Sequence, residues 1–254
     1  MTTYRTNNAS PTLTSIKGLG SGIEIPSEGF TVETSFMISG TAAVGHNVEV
    51  FDANVPKGKT TADAITGNWS LPVGGLTPSM HSFTASTPDD SSSSPARTFT
   101  VLPQCFTEEF VKYPQGSITT LETDYMTITS AAQPRSDLRI INSAEQHLLY
   151  FLRRVEGSLS ATMDIKVPCS RIELKYMVYS GGTPDGIFTA SFYDEKSNLL
   201  ETLEIPTVEH TEYLTVAVEQ AGIKKIEFSL DGASVDSGNL LAVSVDTITF
   251  TAQA

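Results

Sequence analysis

Histidine is the side chain best suited to moving protons near neutral pH, and this chain has four, His46, His81, His147 and His210, scattered singly. None sits in an H-E-x-x-H pattern, none is spaced with cysteine for zinc, and no serine occupies a G-x-S-x-G elbow. Gly18-Leu-Gly20-Ser-Gly22 has the glycines of a phosphate-binding turn but lacks the Lys-Ser/Thr and the helix start that complete one. The acidic pairs Glu108-Glu109 and Asp194-Glu195 would point to opposite faces of a strand, so adjacency alone makes no acid–base couple. Two carboxylates that cleave a glycoside must flank one bond in space, which spacing along the chain does not show. The acidic turn 231–239 does not fit a helical calcium loop. These patterns predict a non-catalytic protein. What remains is chemistry of binding. Tyr179 stands just before the loop Gly181-Gly-Thr-Pro-Asp185-Gly186, where it would be exposed at a rim, with Asp185 as a second candidate ligand contact. Arg153-Arg154 could pair with an acidic ligand, although charge at a strand edge also discourages aggregation.

The elements that must hold these residues follow a period of two, the pattern of half-buried strands. In His46–Asp52, Val48 and Val50 alternate with Asn47, Glu49 and Phe51. Phe30–Ser39 reads as one strand with Val32, Thr34, Phe36 and Ile38 in alternation, and 82–86, 97–101, 171–179, 187–193, 213–218, 225–230 and 241–251 read likewise. Turn pairs such as Ser39-Gly40, Thr66-Gly67, Gly74-Gly75 and Asp231-Gly232 separate the runs. Many short strands with frequent turns predict an all-β protein built from sandwiches or barrels. Residues 143–155 carry both a helical and a strand pattern. As a strand, Leu148, Tyr150 and Leu152 share a face, and the β surroundings favour that reading.

The chain of 254 residues suits two modest domains. Leu102-Pro-Gln104 breaks strand pairing, which predicts a tail at 1–10, a first domain at 11–102, a linker at 103–104 and a second domain at 105–254. The formal charge is −13. The first domain has four basic and eight acidic residues, the second eleven and twenty-one. An acidic surface opposes nucleic acid, whose phosphates need a basic face. No run of 18 apolar residues predicts a membrane span, and residues 1–30 lack the basic start and apolar stretch of a secretory signal. Cys105 and Cys169 permit one disulfide or two free thiols, and the sequence leaves both open.

Ser39-Gly40-Thr41-Ala42, Gly45–Asp52, Gly58-Lys-Thr60-Thr-Ala62-Asp63, Gly67-Asn-Trp69-Ser70, His81-Ser-Phe83-Thr-Ala85 and Ser94–Val101 recur in an order that resembles the bacterial immunoglobulin-like repeats of secreted adhesins. Trp69, the single tryptophan, suits the core of such a small sandwich. The resemblance implies a spacer and a structural His81.

The end of the second domain, Ile223–Phe228 and Val243–Phe250, with the start Phe106–Phe110, resembles jelly-roll carbohydrate-binding modules. That resemblance implies a structural calcium between first and last strands, with Asp246 and Glu108 or Glu109 as ligands, although Asp246-Thr247 departs from the usual Asp-Asn. It also implies a sugar stacked on aromatic rings, here among Tyr150, Tyr176, Tyr179, Tyr193 and Tyr213, since the second domain has no Trp. The expectation is a non-catalytic extracellular or cell-surface adhesion protein. Its second domain would recognise a glycan or cell-surface polymer, spaced by the first. The alternatives are a structural subunit of a fibre, tail or secreted complex, with Thr2–Thr14 donated to a neighbour's sheet, and the receptor-binding part of a toxin or effector.

Overall fold

The computed structural model describes residues 10–88, 92–131, 136–142, 147–153, 158–180, 186–208, 212–232 and 241–253. The described residues are all-β and divide between Pro103 and Gln104 into two compact units.

The first unit holds β1 (Thr12–Gly18), β2 (Gly29–Thr31), β3 (Phe36–Thr41), β4 (Asn47–Asp52), β5 (Val55–Thr61), β6 (Asn68–Val73), β7 (Ser79–Thr87), β8 (Ser92–Ser93) and β9 (Arg97–Val101). One sheet runs β1-β3-β6, the other β2-β9-β7-β4-β5 with β8 on β7. Alternation fills the space between them. Ile16, Phe36, Ile38 and Trp69 come from the first sheet, and Val48, Val50, Phe83 and Phe99 from the second, all nearly inaccessible. The Phe36 ring meets Phe99 edge-on at 4.9 Å. Burying each such side chain contributes roughly 1.5–3 kcal/mol. The run Phe30–Ser39 is not one strand. β2 pairs with β9 in one sheet and β3 with β1 in the other, so the chain changes layer at 32–35. The Glu33 amide donates to Thr31 Oγ1 at 3.1 Å, a local turn that ends the ladder.

The second unit holds β10 (Cys105–Glu108), β11 (Gly116–Ile118), β12 (Thr120–Glu122), β13 (Met126–Ser130), β14 (Ser136–Asn142), β15 (His147–Arg153), β16 (Leu159–Ser180), β17 (Gly186–Tyr193), β18 (Leu199–Pro206), β19 (Leu214–Gly232) and β20 (Leu241–Ala252). β16 and β19 are long enough to serve both layers. Their halves 159–164 and 225–230 pair with each other between β13 and β17, making a layer β12-β13-β16-β19-β17-β18. After register breaks at 164–171, β16 pairs with β20, which carries β15 and β10 on its other edge. β14 and β11 extend that second layer. Gly222, with φ +81°, marks the matching bend in β19. Phe151 of β15 contacts Phe188 of β17 at 5.1 Å and Phe228 of β19 at 5.4 Å, stitching the layers together. Residues 147–153 are therefore strand, in the register Tyr150↔Ser244.

Cys105 and Cys169 are both free thiols, one exposed and one buried. They lie opposite Thr251 and Ala252 on the two edges of β20. Of the two states the sequence left open, the structure holds the unbridged one.

Candidate functional site

Register on the outer face of the β15–β20–β16 layer brings tyrosines together. Tyr150 and Met177 both lie opposite Ser244, and Tyr179 lies two residues beyond Met177 on the same side. The Tyr150 and Tyr179 rings are 6.0 Å apart, tilted by 44°. Tyr213, just before β19, joins them: Lys175 Nζ sits 4.9 Å from its ring centroid and bonds Asp246 Oδ2 at 2.5 Å. Burial, with the charges of Tyr179 and Asp246 beside it, pushes the Tyr213 phenol up to about 12. Its hydroxyl is sealed from solvent, beside the Ser244 and Tyr179 hydroxyls. Ser244 anchors the floor by donating to the Met177 carbonyl at 3.4 Å. The three rings are half-buried, while Leu148, Leu152, Met177, Ala242 and Ser244 on the same side of these strands are buried. Ring faces of this kind pack against the C–H side of a sugar, while flanking polar groups fix its hydroxyls.

Asp246 reaches this face through a β-bulge. Lys175 opposes Thr247 and Tyr176 opposes Val245, leaving Asp246 as the extra residue. On one side of it Ile248 and Phe250 point inward, and on the other Val243 and Val245 do. The bulge switches that parity and turns the Asp246 carboxylate outward onto Lys175.

The residues expected to bind calcium are not brought together. Glu108 is 3% exposed and faces inward. It accepts the Phe110 amide at 3.2 Å and the Tyr113 hydroxyl at 3.1 Å. Glu109 is exposed, and Asp246 is taken by Lys175. No group of three or more His, Cys, Asp or Glu side chains converges among the described residues. This donor set does not fit a calcium ion, which takes six to eight oxygens.

Arg153, expected as a ligand contact, is 1% exposed on the Leu149–Phe151 side of β15, out of reach of a surface ligand. Asp185, Arg154 and His210 lie outside the described residues. Tyr176 is buried. Tyr193 lies on the other layer, under Lys225 at 4.4 Å. The glycine turn at 18–22 does cradle an anion, but its own: the Gly20 amide donates to Glu33 Oε2 at 2.8 Å and Ser21 Oγ to Oε1 at 2.5 Å. His81 is buried, with Nδ1 donating to Asp52 Oδ2 at 2.7 Å and Nε2 lying 2.9 Å from the Thr77 carbonyl. Sequence reasoning missed Lys175 and Ser244. Their only signal is a polar residue interrupting an apolar run, as in Leu241-Ala-Val-Ser244-Val.

No protein-family model matches the chain, and no curated protein does. Among solved structures, the K2 cleaved adhesin domain of Lys-gingipain is 14% identical, spans 58% of this chain and 99% of its own, and has a TM-score of 0.38. The carbohydrate-binding module TmCBM61, solved with β-1,4-galactotriose, is 13% identical over 50% of this chain and 88% of its own, with a TM-score of 0.35. A low-affinity xylan-binding module from Roseburia intestinalis is 10% identical over 50% of this chain and 96% of its own, with a TM-score of 0.29. These three are carbohydrate-binding and adhesin domains, but the neighbours also include glycosidases, among them a β-glucuronidase from Bacteroides uniformis and the xyloglucanase domain of NopAA. No helix among the described residues is long and apolar enough to cross a membrane.

Proposed function

We propose that this is a non-catalytic, extracellular or cell-surface binding protein whose second unit recognises a glycan on the tyrosine face. The observation that carries the reading is the gathering of Tyr150, Tyr179 and Tyr213 on one outer sheet face, beside Lys175 and Asp246. The first unit, with its closed aromatic core and its resemblance to immunoglobulin-like repeats, serves as a spacer.

The test is binding of the full chain to a broad glycan panel, with Tyr179→Ala and Tyr150→Ala beside it. Removing a ring removes the apolar area a sugar would cover, at roughly 25 cal/mol per Å², so each variant should weaken a saturable hit several-fold while far-UV circular dichroism stays unchanged. A hit that both folded variants retain at full strength would move the site elsewhere.

A further inference from the structure

We propose that the tyrosine face selects uncharged saccharides over acidic ones, and that Asp246 is the residue that decides it. The inference rests on the reading of that face as the glycan site and names the class of ligand it takes. A lysine beside three tyrosines would ordinarily recruit a carboxylate or sulfate. Here its charge is already engaged. Lys175 Nζ bonds Asp246 Oδ2 at 2.5 Å and lies 4.9 Å from the Tyr213 ring centroid.

The same holds for the other described cations on this side of the layer. Arg171 is paired with Glu173 at 2.6 Å and Glu219 at 3.2 Å, and Arg139 with Asp137 at 2.5 Å. No described basic group on the face is left to meet an incoming anion, and the second domain carries ten more acidic than basic residues. A uronate carboxylate placed over Tyr213 would approach the Asp246 carboxylate and would have to break an existing ion pair to gain a cation. Juxtaposing like charges in this way is how an interface rejects the wrong partner. A neutral ring meets no such cost and finds hydroxyl, ammonium and carboxylate groups already fixed in place.

The bulge in β20 makes this arrangement specific to Asp246. Without the extra residue, position 246 would follow Ile248 and Phe250 inward, and Lys175 would stand unpaired among the tyrosines. Exclusion of acidic sugars is thus built into the backbone of the last strand.

The experiment titrates the full chain with matched oligosaccharides of the same ring stereochemistry, one neutral and one uronic: galactose with galacturonate, glucose with glucuronate, mannose with mannuronate. Calorimetry at low and physiological salt reads the ratio of affinities. The wild type should bind a neutral member at least about tenfold more tightly than its uronic partner. Asp246→Asn, which frees the lysine, should close or reverse that gap. Lys175→Met, which leaves the carboxylate without its cation, should widen it, and each variant's thermal midpoint reports its fold. A wild type that prefers the uronic member, or a ratio unmoved in both folded variants, overturns the inference and leaves the glycan site standing. Binding to neither series by folded protein overturns the glycan reading and the inference with it.

Discussion

Cys105 and Cys169 flank β20 on its two edges, opposite the successive residues Thr251 and Ala252, and cannot reach one another. Two strand spacings put their Cα atoms about 9.6 Å apart, beyond the limit of about 7 Å for a disulfide. Burial pushes the Cys169 thiol up to about 12, so it carries almost no thiolate at neutral pH, whereas Cys105 is exposed. An aromatic-disulfide reagent should therefore titrate one thiol in the native protein and two in guanidinium, with no change in electrophoretic mobility on reduction. A single-site variant, Cys105→Ser, should abolish the native reaction. Two thiols lost to oxidation in the folded protein would contradict the strand register.

Trp69 and Gly40 form one packed contact in the first unit. A Cβ added at Gly40 would lie 1.8 Å from the Thr12 carbonyl oxygen and 2.7 Å from Trp69 Cζ2. The paired backbone of β1 cannot withdraw without breaking its ladder with β3. Gly40→Ala should cost several kcal/mol, comparable to the ~3–5 kcal/mol expected for Trp69→Ala in a close-packed core. As Trp69 is the only tryptophan, its fluorescence in a urea titration reads the first unit alone. For Gly40→Ala the midpoint should fall steeply in that signal while the second unit's share of the circular dichroism transition stays put.

Legibility in the sequence tracked strict alternation. Val48 and Val50 follow from a period of two and are buried as that period requires, whereas the strand at 147–153 is buried on both faces, at Leu148 and Leu152 as well as at Leu149 and Phe151. The same period places Arg153 with Leu149 and Phe151 on the inner side, a signal outweighed by the expectation that a charged pair lies on the surface. Asp246 was beyond such reasoning, because a bulge changes parity without leaving a mark in residue types. Phe30–Ser39 alternates without interruption, and its passage between sheets depends on Glu33, whose partners at Gly20 and Ser21 are distant in sequence. The tyrosine face needed Tyr150, Tyr179 and Tyr213 from three separate elements. Sequence supplied the members but not the register that joins them.

Calcium should leave the protein's stability unchanged. Glu108 is engaged by Phe110 and Tyr113, and Asp246 by Lys175. An ion held at a hundred times its dissociation constant would add ~2.7 kcal/mol, enough to raise the thermal midpoint by about 5 °C or more. Differential scanning fluorimetry in millimolar calcium and in chelator should show coincident midpoints. A calcium-dependent rise of that size would place a metal site outside the described residues.

Acid should loosen the first unit through Asp52. Burial works to raise this carboxyl, but the hydrogen bonds from His81 and the Ser82 amide, with the nearby charge of Lys57, outweigh it and hold it below the usual carboxylate range. A carboxyl depressed in the folded state stabilises the protein above its unfolded value of about 3.9, and that contribution is lost as pH falls through the folded value. Urea midpoints followed by Trp69 fluorescence should thus be level from pH 7 to about 5 and decline below about 4. Asp52→Asn should lower the neutral plateau by about 2 kcal/mol, the worth of a charged hydrogen bond, and flatten the acid limb. Equal acid slopes in the two proteins would assign the loss to other carboxyls of the unit, of which Glu24, also held low, is the next to replace.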